Sequence, residues 1–183
     1  MDSTQYCNEV MARLETLMYQ ELSGMAYWKC EFVGTDFIRG KSVQGRNVPE
    51  VVESCAKEIT AAGIASNITH KAGPDGILLK LKVGNCIHHA KEALVKAEGV
   101  SPYICPVANM VLDQIHQKLK YETSYLAKLA IDGDNKQCLI YMALYETADK
   151  IGQVSDWLKD DEDLAFLESQ PSQILAAADR KKT

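Results

Sequence analysis

The stretch GNCIHHAKE sets Cys86, His88 and His89 within four residues, and YICPVAN adds another thiol at Cys105. On a helix that starts at Asn85, Cys86 and His89 lie three apart and share one face. His88 then points about 100° to the side. A thiolate and an imidazole at that spacing suit two corners of a zinc tetrahedron. Cys105 immediately precedes Pro106 and so takes the N-cap of the next helix, where free N–H groups and the positive dipole end favour a thiolate. It is the natural third ligand, and Cys138, which opens the last expected strand, is a fourth candidate. Zinc is the metal such a set would take, with haem or another iron as the alternative. No catalytic residue is assigned. Were the chain an enzyme, Cys105 would be its nucleophile and would borrow His88, His89 or His116 as base. The competing reading is that these thiols are small buried hydrophobes, since the six cysteines are scattered without a CxxC pair.

Elements must position these groups, and bulk properties limit what the elements can be. The chain has 183 residues, 46% of them hydrophobic and 25% charged, which suits one globular domain with a conventional core. Net charge is -5, and the nearest basic run is Arg180 to Lys182 in the tail. Broad phosphate neutralisation is therefore excluded, and nucleic acid is not an expected partner of this chain by itself. No apolar run suits a transmembrane segment and the N-terminus has no signal-peptide pattern, so a cytoplasmic location with free thiols is expected. P-loop, GxGxxG, GxSxG, HExxH and EF-hand patterns are all missing from the sequence.

Apolar residues at Val10, Leu14, Leu17 and Met18 mark one face of a helix over 2–22, expected to face the core. An aromatic connector follows, broken by Gly34, Gly40 and Gly45, and is read as irregular. Its Trp28, Phe32 and Phe37 are either core covers or the roof of a ligand cavity. Asn47, Pro49 and the stripe Val51, Val52, Cys55, Ile59 predict a second helix that stops at Gly63. A hairpin turns at AGPDG, helices start at Asn85 and Pro106, and a second hairpin turns at DGDN. A short helix capped by Ser155 ends the pattern, its acidic run Asp160 to Asp163 read as a solvated face, with a flexible tail beyond Pro171. The order ααββααββα predicts an α+β fold: one four-stranded antiparallel sheet made of two hairpins and covered by helices. Residues 1–150 form the domain, and 151–183 add a C-terminal helix and tail. Val107, Met110, Val111 and Trp28 are the expected walls of a ligand pocket.

The segment YICPVANMVLDQIHQKLKYETSYLAKLAIDGDNKQCLIYMAL resembles the C-terminal part of vinyl-4-reductase-type (4VR) domains, also called hydrocarbon-binding domains. Their pattern has a cysteine at a helix start, a strand running into a Gly-Asp turn, and a strand that begins with another cysteine. Cys105, Gly133, Asp134 and Cys138 take those places. The element order is similar to the same fold, shared with TRAPP-type vesicle-tethering subunits, over residues 5–147. Leu129 stands where many members carry a further cysteine, and the interval from the turn to Cys138 is one residue longer than the family's, which leaves the metal ligand set open. The resemblance implies a stand-alone sensor or carrier of a small apolar molecule that forms a homodimer through exposed helix faces. A Cys105- or zinc-dependent hydrolase and an assembly protein using the acidic segment Asp160 to Glu168 are the alternatives.

Overall fold

The computed structural model describes residues 2–26, 30–133, 135–151, 153 and 156–169. Trp28, Asp134, Ser155 and the tail beyond Pro171 lie outside them. The helices are α1 (Ser3–Leu22), α2 (Thr35–Arg39), α3 (Val48–Ala61), α4 (His89–Ala97), α5 (Pro106–Leu119), α6 (Trp157–Asp160) and α7 (Glu162–Ser169). Strands β1 (Asn67–Ala72), β2 (Leu78–Gly84), β3 (Thr123–Asp132) and β4 (Gln137–Tyr145) form one antiparallel sheet in the order β1-β2-β4-β3. The molecule is thus α+β, with two hairpins joined through their second strands. Leu81 pairs with Ile140 across that central seam, and a bulge between Leu126 and Lys128 bends the β3 edge.

Strand alternation gives this sheet two different faces. Leu79, Leu81 and Val83 of β2, with Cys138, Ile140, Met142 and Leu144 of β4, enter the main core. There they meet Ile38 of α2, the Val51, Val52, Cys55, Ile59 stripe of α3 and Val107, Met110, Val111 and Ile115 of α5. The second helix forms as its signals require: Asn47 accepts from Glu50 N at 3.0 Å while Glu50 accepts from Arg46 N at 2.8 Å. The opposite sheet face, with Leu78, Leu139, Tyr141, Ala143 and Tyr145, is also buried, beneath Trp157, Leu158 and Leu164. A sheet covered on both sides was not the sequence expectation.

Four local expectations need correction. The connector is not wholly irregular, because it contains α2. Gly34, at φ 91°, enters that helix, and a Cβ there would stand 3.0 Å from the Pro106 ring. The α1 helix is present but turned around: Asn8, Ala12, Glu15 and Thr16 are its buried residues, while Val10, Leu14 and Leu17 are exposed. Helix α4 starts at His89, since Asn85 adopts a left-handed φ of 46° and ties its N–H to the Lys136 carbonyl at 2.8 Å. The acidic run is not a solvated face either. Asp161 is only 5% exposed and takes both its oxygens to within 2.7 Å of Lys80 Nζ, while Asp163 pairs with Lys80 and Lys82. No helix among the described residues is long and apolar enough to cross a membrane.

Candidate functional site

Cys105 is the N-cap of α5, as its place before Pro106 requires. Of the two readings of its chemistry, burial favours the small buried hydrophobe over the reactive thiolate. The side chain lies in the main core, and burial pushes the thiol well up, with the nearby Glu92 carboxylate adding to the rise. The Ala108 amide at the helix start favours the thiolate, but it is outweighed. A neutral thiol is a poor nucleophile. Cys138 is buried in the same core and is raised by burial, then by Cys105 and Cys86. Cys86 packs half-buried against that core from the turn before α4.

Three of the proposed ligands are therefore neighbours, but His89 leaves them. Because α4 begins only at His89, Cys86 and His89 do not share a helix face, and His89 Nε2 sits 3.3 Å from the Asp132 carbonyl. Among the described residues, no group of three or more His, Cys, Asp or Glu side chains is placed to hold a metal ion. His88 is the N-cap of α4, and burial pushes its imidazole down to about 4.

A buried ionic knot, which the sequence reading missed, joins α1 to α4. Lys91 Nζ donates to Glu15 Oε2 at 2.7 Å and to the Ile104 carbonyl at 2.6 Å, and lies 2.8 Å from Glu92 Oε1. Glu15 Oε1 in turn accepts from the Tyr103 and Ile104 amides at 2.7 and 3.0 Å. Glu92 carries the cost: its Oε2 is buried with no hydrogen-bond partner, and burial pushes its carboxyl up to about 7 against the pull of Lys91. The one signal available was Glu15 on the polar side of α1, opposite the apolar stripe.

The opening that could receive a ligand lies elsewhere. A groove of about 720 Å³ runs between the connector, the outer side of α5 and the first residues of β3. From α5 it takes Asn109, Leu112, Asp113, His116 and Gln117, a stripe of helical spacing. Asn109 fixes the connector against that stripe by donating to the Cys30 and Val33 carbonyls at 2.8 and 3.1 Å. The expected walls are on the other side of the same helix. Val107 and Val111 are fully buried and Met110 is 2% exposed, so all three are core and none lines the groove. The most apolar stripe of α5 is the one the sheet consumes. Trp28 lies outside the described residues.

Arg39 reaches over the groove and gives two N–H groups to Asp113 Oδ1, at 3.0 and 2.5 Å, while Gln114 donates to Asp113 Oδ2 at 3.1 Å. His116 holds Nδ1 at 3.0 Å from the Tyr121 carbonyl, which can only accept, so the neutral ring keeps its proton there. Fold and groove together describe an α+β domain with a recess of mixed character outside its main core. No family model matches the chain, and neither does any curated protein sequence.

Proposed function

We propose that this chain is a small-molecule-binding module, a sensor or carrier of the 4VR-like kind, which holds its ligand in the groove between α5, β3 and the connector. The observation that carries this reading is the groove itself. Its volume of about 720 Å³ falls within the range of ligand sites, and its lining mixes apolar groups such as Leu112, Leu126 and Phe32 with a few fixed polar ones. Nucleophilic catalysis is the weaker reading, since the best-placed thiol is a buried neutral one. No zinc, haem or iron chemistry is proposed through Cys86, His89, Cys105 and Cys138, because His89 turns away from the three thiols and no group of three or more such side chains among the described residues is placed to hold a metal ion. All six cysteines are free, which fits a reducing cytoplasm.

The same reading includes pairing with a second copy through α1. Tyr6, Val10, Leu14 and Leu17 lie along one outward strip of that helix and are all more than a third exposed. Together they present a continuous apolar strip on the outer face of the helix, the kind of patch that marks a protein–protein contact. Native mass spectrometry of gently purified protein tests the binding reading. A retained small molecule is expected in the wild type and not in Ser124→Trp, which fills the groove from the sheet edge. Ligand that persists in Ser124→Trp, or none in either protein, would reject it.

A further inference from the structure

We infer that the groove selects an organic cation, an amine or quaternary ammonium carried on an apolar or aromatic body, because its carboxylates outnumber its one guanidinium, which is already neutralised, and its apolar surface is partly aromatic. This rests on the groove being the ligand site and adds the chemical class it takes.

The lining contains three carboxylates, Glu31, Asp113 and Glu122, against the single guanidinium of Arg39. Arg39 is committed to Asp113 through two hydrogen bonds, and Asp113 is completed by Gln114, so that pair offers a ligand little net charge. Glu31 and Glu122 form no ion pair among the described residues, which leaves two uncompensated carboxylates at the rim. Burial raises the Glu31 carboxyl, and no cation among the described residues draws it back. A bound cation would supply the missing partner.

Two further features agree with this. His116 faces the Tyr121 carbonyl with Nδ1, so Nε2 is the ring nitrogen left to a ligand, and with the proton on Nδ1 that atom accepts from an ammonium N–H. The apolar surface beside these groups is partly aromatic: Phe32 is 66% exposed and Tyr125 43%, and Tyr103 forms part of the lining. Aromatic faces attract cations and give anions nothing comparable. An anionic ligand would meet two rim carboxylates, and the one guanidinium it could turn to already has its charge balanced by Asp113.

The test uses the full chain and three probes of one shape and different charge: naphthylmethylamine, naphthylmethanol and naphthoate, titrated calorimetrically at neutral pH and low ionic strength. The amine is expected to bind about tenfold tighter than the alcohol, with the carboxylate weakest. Combined Glu31→Gln and Glu122→Gln should erase the amine's margin over the alcohol, and added salt should narrow that margin in the wild type. Equal binding of all three probes that disappears in Ser124→Trp overturns the cation inference and leaves the groove reading standing. Tighter binding of naphthoate, or an amine margin that survives the double substitution, also overturns it. If none of the probes binds, both readings fall.

Discussion

At the scale of single residues, position in the chain and burial in the fold pull Cys105 in opposite directions, and burial wins. Its N-cap place was legible from the proline that follows it, but the density of core around the sulfur is set by contacts far away in sequence. A labelling experiment should show this. With exposed Cys7 replaced by Ser, Cys105 should stay unmodified by iodoacetamide in the folded protein and react only in denaturant. Rapid native labelling at Cys105 would restore the nucleophile reading. Glu92 and His88, four residues apart, make a second prediction of opposed signs. Glu92 is raised from 4.5 to about 7, so the folded state keeps a proton that the unfolded chain releases. Its contribution is fully present below 4.5 and is lost as pH rises through about 7. His88 is lowered from 6.5 to about 4, so its contribution is fully present above 6.5 and is lost as pH falls through about 4. Each effect is at most roughly 3 kcal/mol, and over the shared window they offset one another. Urea denaturation across that window should give a shallow profile for the wild type. Glu92→Gln should lose stability on acidification, and His88→Asn, which keeps a capable N-cap, should lose it as pH rises. If both variants retain the wild-type profile, the assignment of these two groups is wrong.

Among the elements, the existence of the longer helices was legible, while the short α2 and the orientation of the helices were not. The spacing of Val10, Leu14 and Leu17 identifies α1, and the α3 cap, the α5 start and both hairpins also stand where their sequence signals place them. Periodicity, however, reports that a helix has an apolar side without saying what covers it. In α1 the polar side turns inward because Glu15 and Asn8 find buried partners: the Tyr103 and Ile104 amides for one, and the Ile87 carbonyl at 2.7 Å for the other. In α5 the apolar side goes to the sheet and leaves Asn109, Asp113 and His116 for the groove. The inverted α1 makes a direct prediction. Leu14, at 54% exposed, contributes little to the core of one chain, so Leu14→Arg should change unfolding free energy by less than about 0.5 kcal/mol. It should nonetheless convert a dimer seen by analytical ultracentrifugation into a monomer. An unchanged sedimentation profile for Leu14→Arg, or a wild type that is monomeric at high concentration, would reject α1 as the interface.

For the whole molecule, the division drawn near residue 150 from sequence separates parts that the fold binds together. An acidic run beyond the last strand reads as solvated when its partners are unknown. Those partners are lysines on the sheet: Lys80 and Lys82 with Asp161 and Asp163, and Lys128 with Glu168. Lys80 is the informative one, because alternation in β2 puts a lysine on a face that is nearly closed to water, 5% exposed, where only a buried counter-ion makes it tolerable. Asp161 meets that need, also accepting from the Tyr141 hydroxyl at 2.9 Å and from Leu164 N at 3.1 Å. Both Asp161 and Asp163 are held below their usual range of 3.8, Asp161 by hydrogen bonds that overcome burial and Asp163 chiefly by its bonds to the two lysines. Their contribution is therefore present above 3.8 and is lost as pH falls through the lower folded values. Asp161→Asn leaves Lys80 only the half-exposed Asp163 as counter-ion, so it should cost about 2 kcal/mol in urea unfolding, with the environment of Trp157 changing in fluorescence. A chain cut after Lys150 should do worse. It would uncover Leu139, Tyr141 and Tyr145, bind hydrophobic dye and unfold well below the full-length protein. If the shortened chain instead melts with the full-length protein and stays free of dye, residues 1–150 are an independent domain and the C-terminal helices only rest on it.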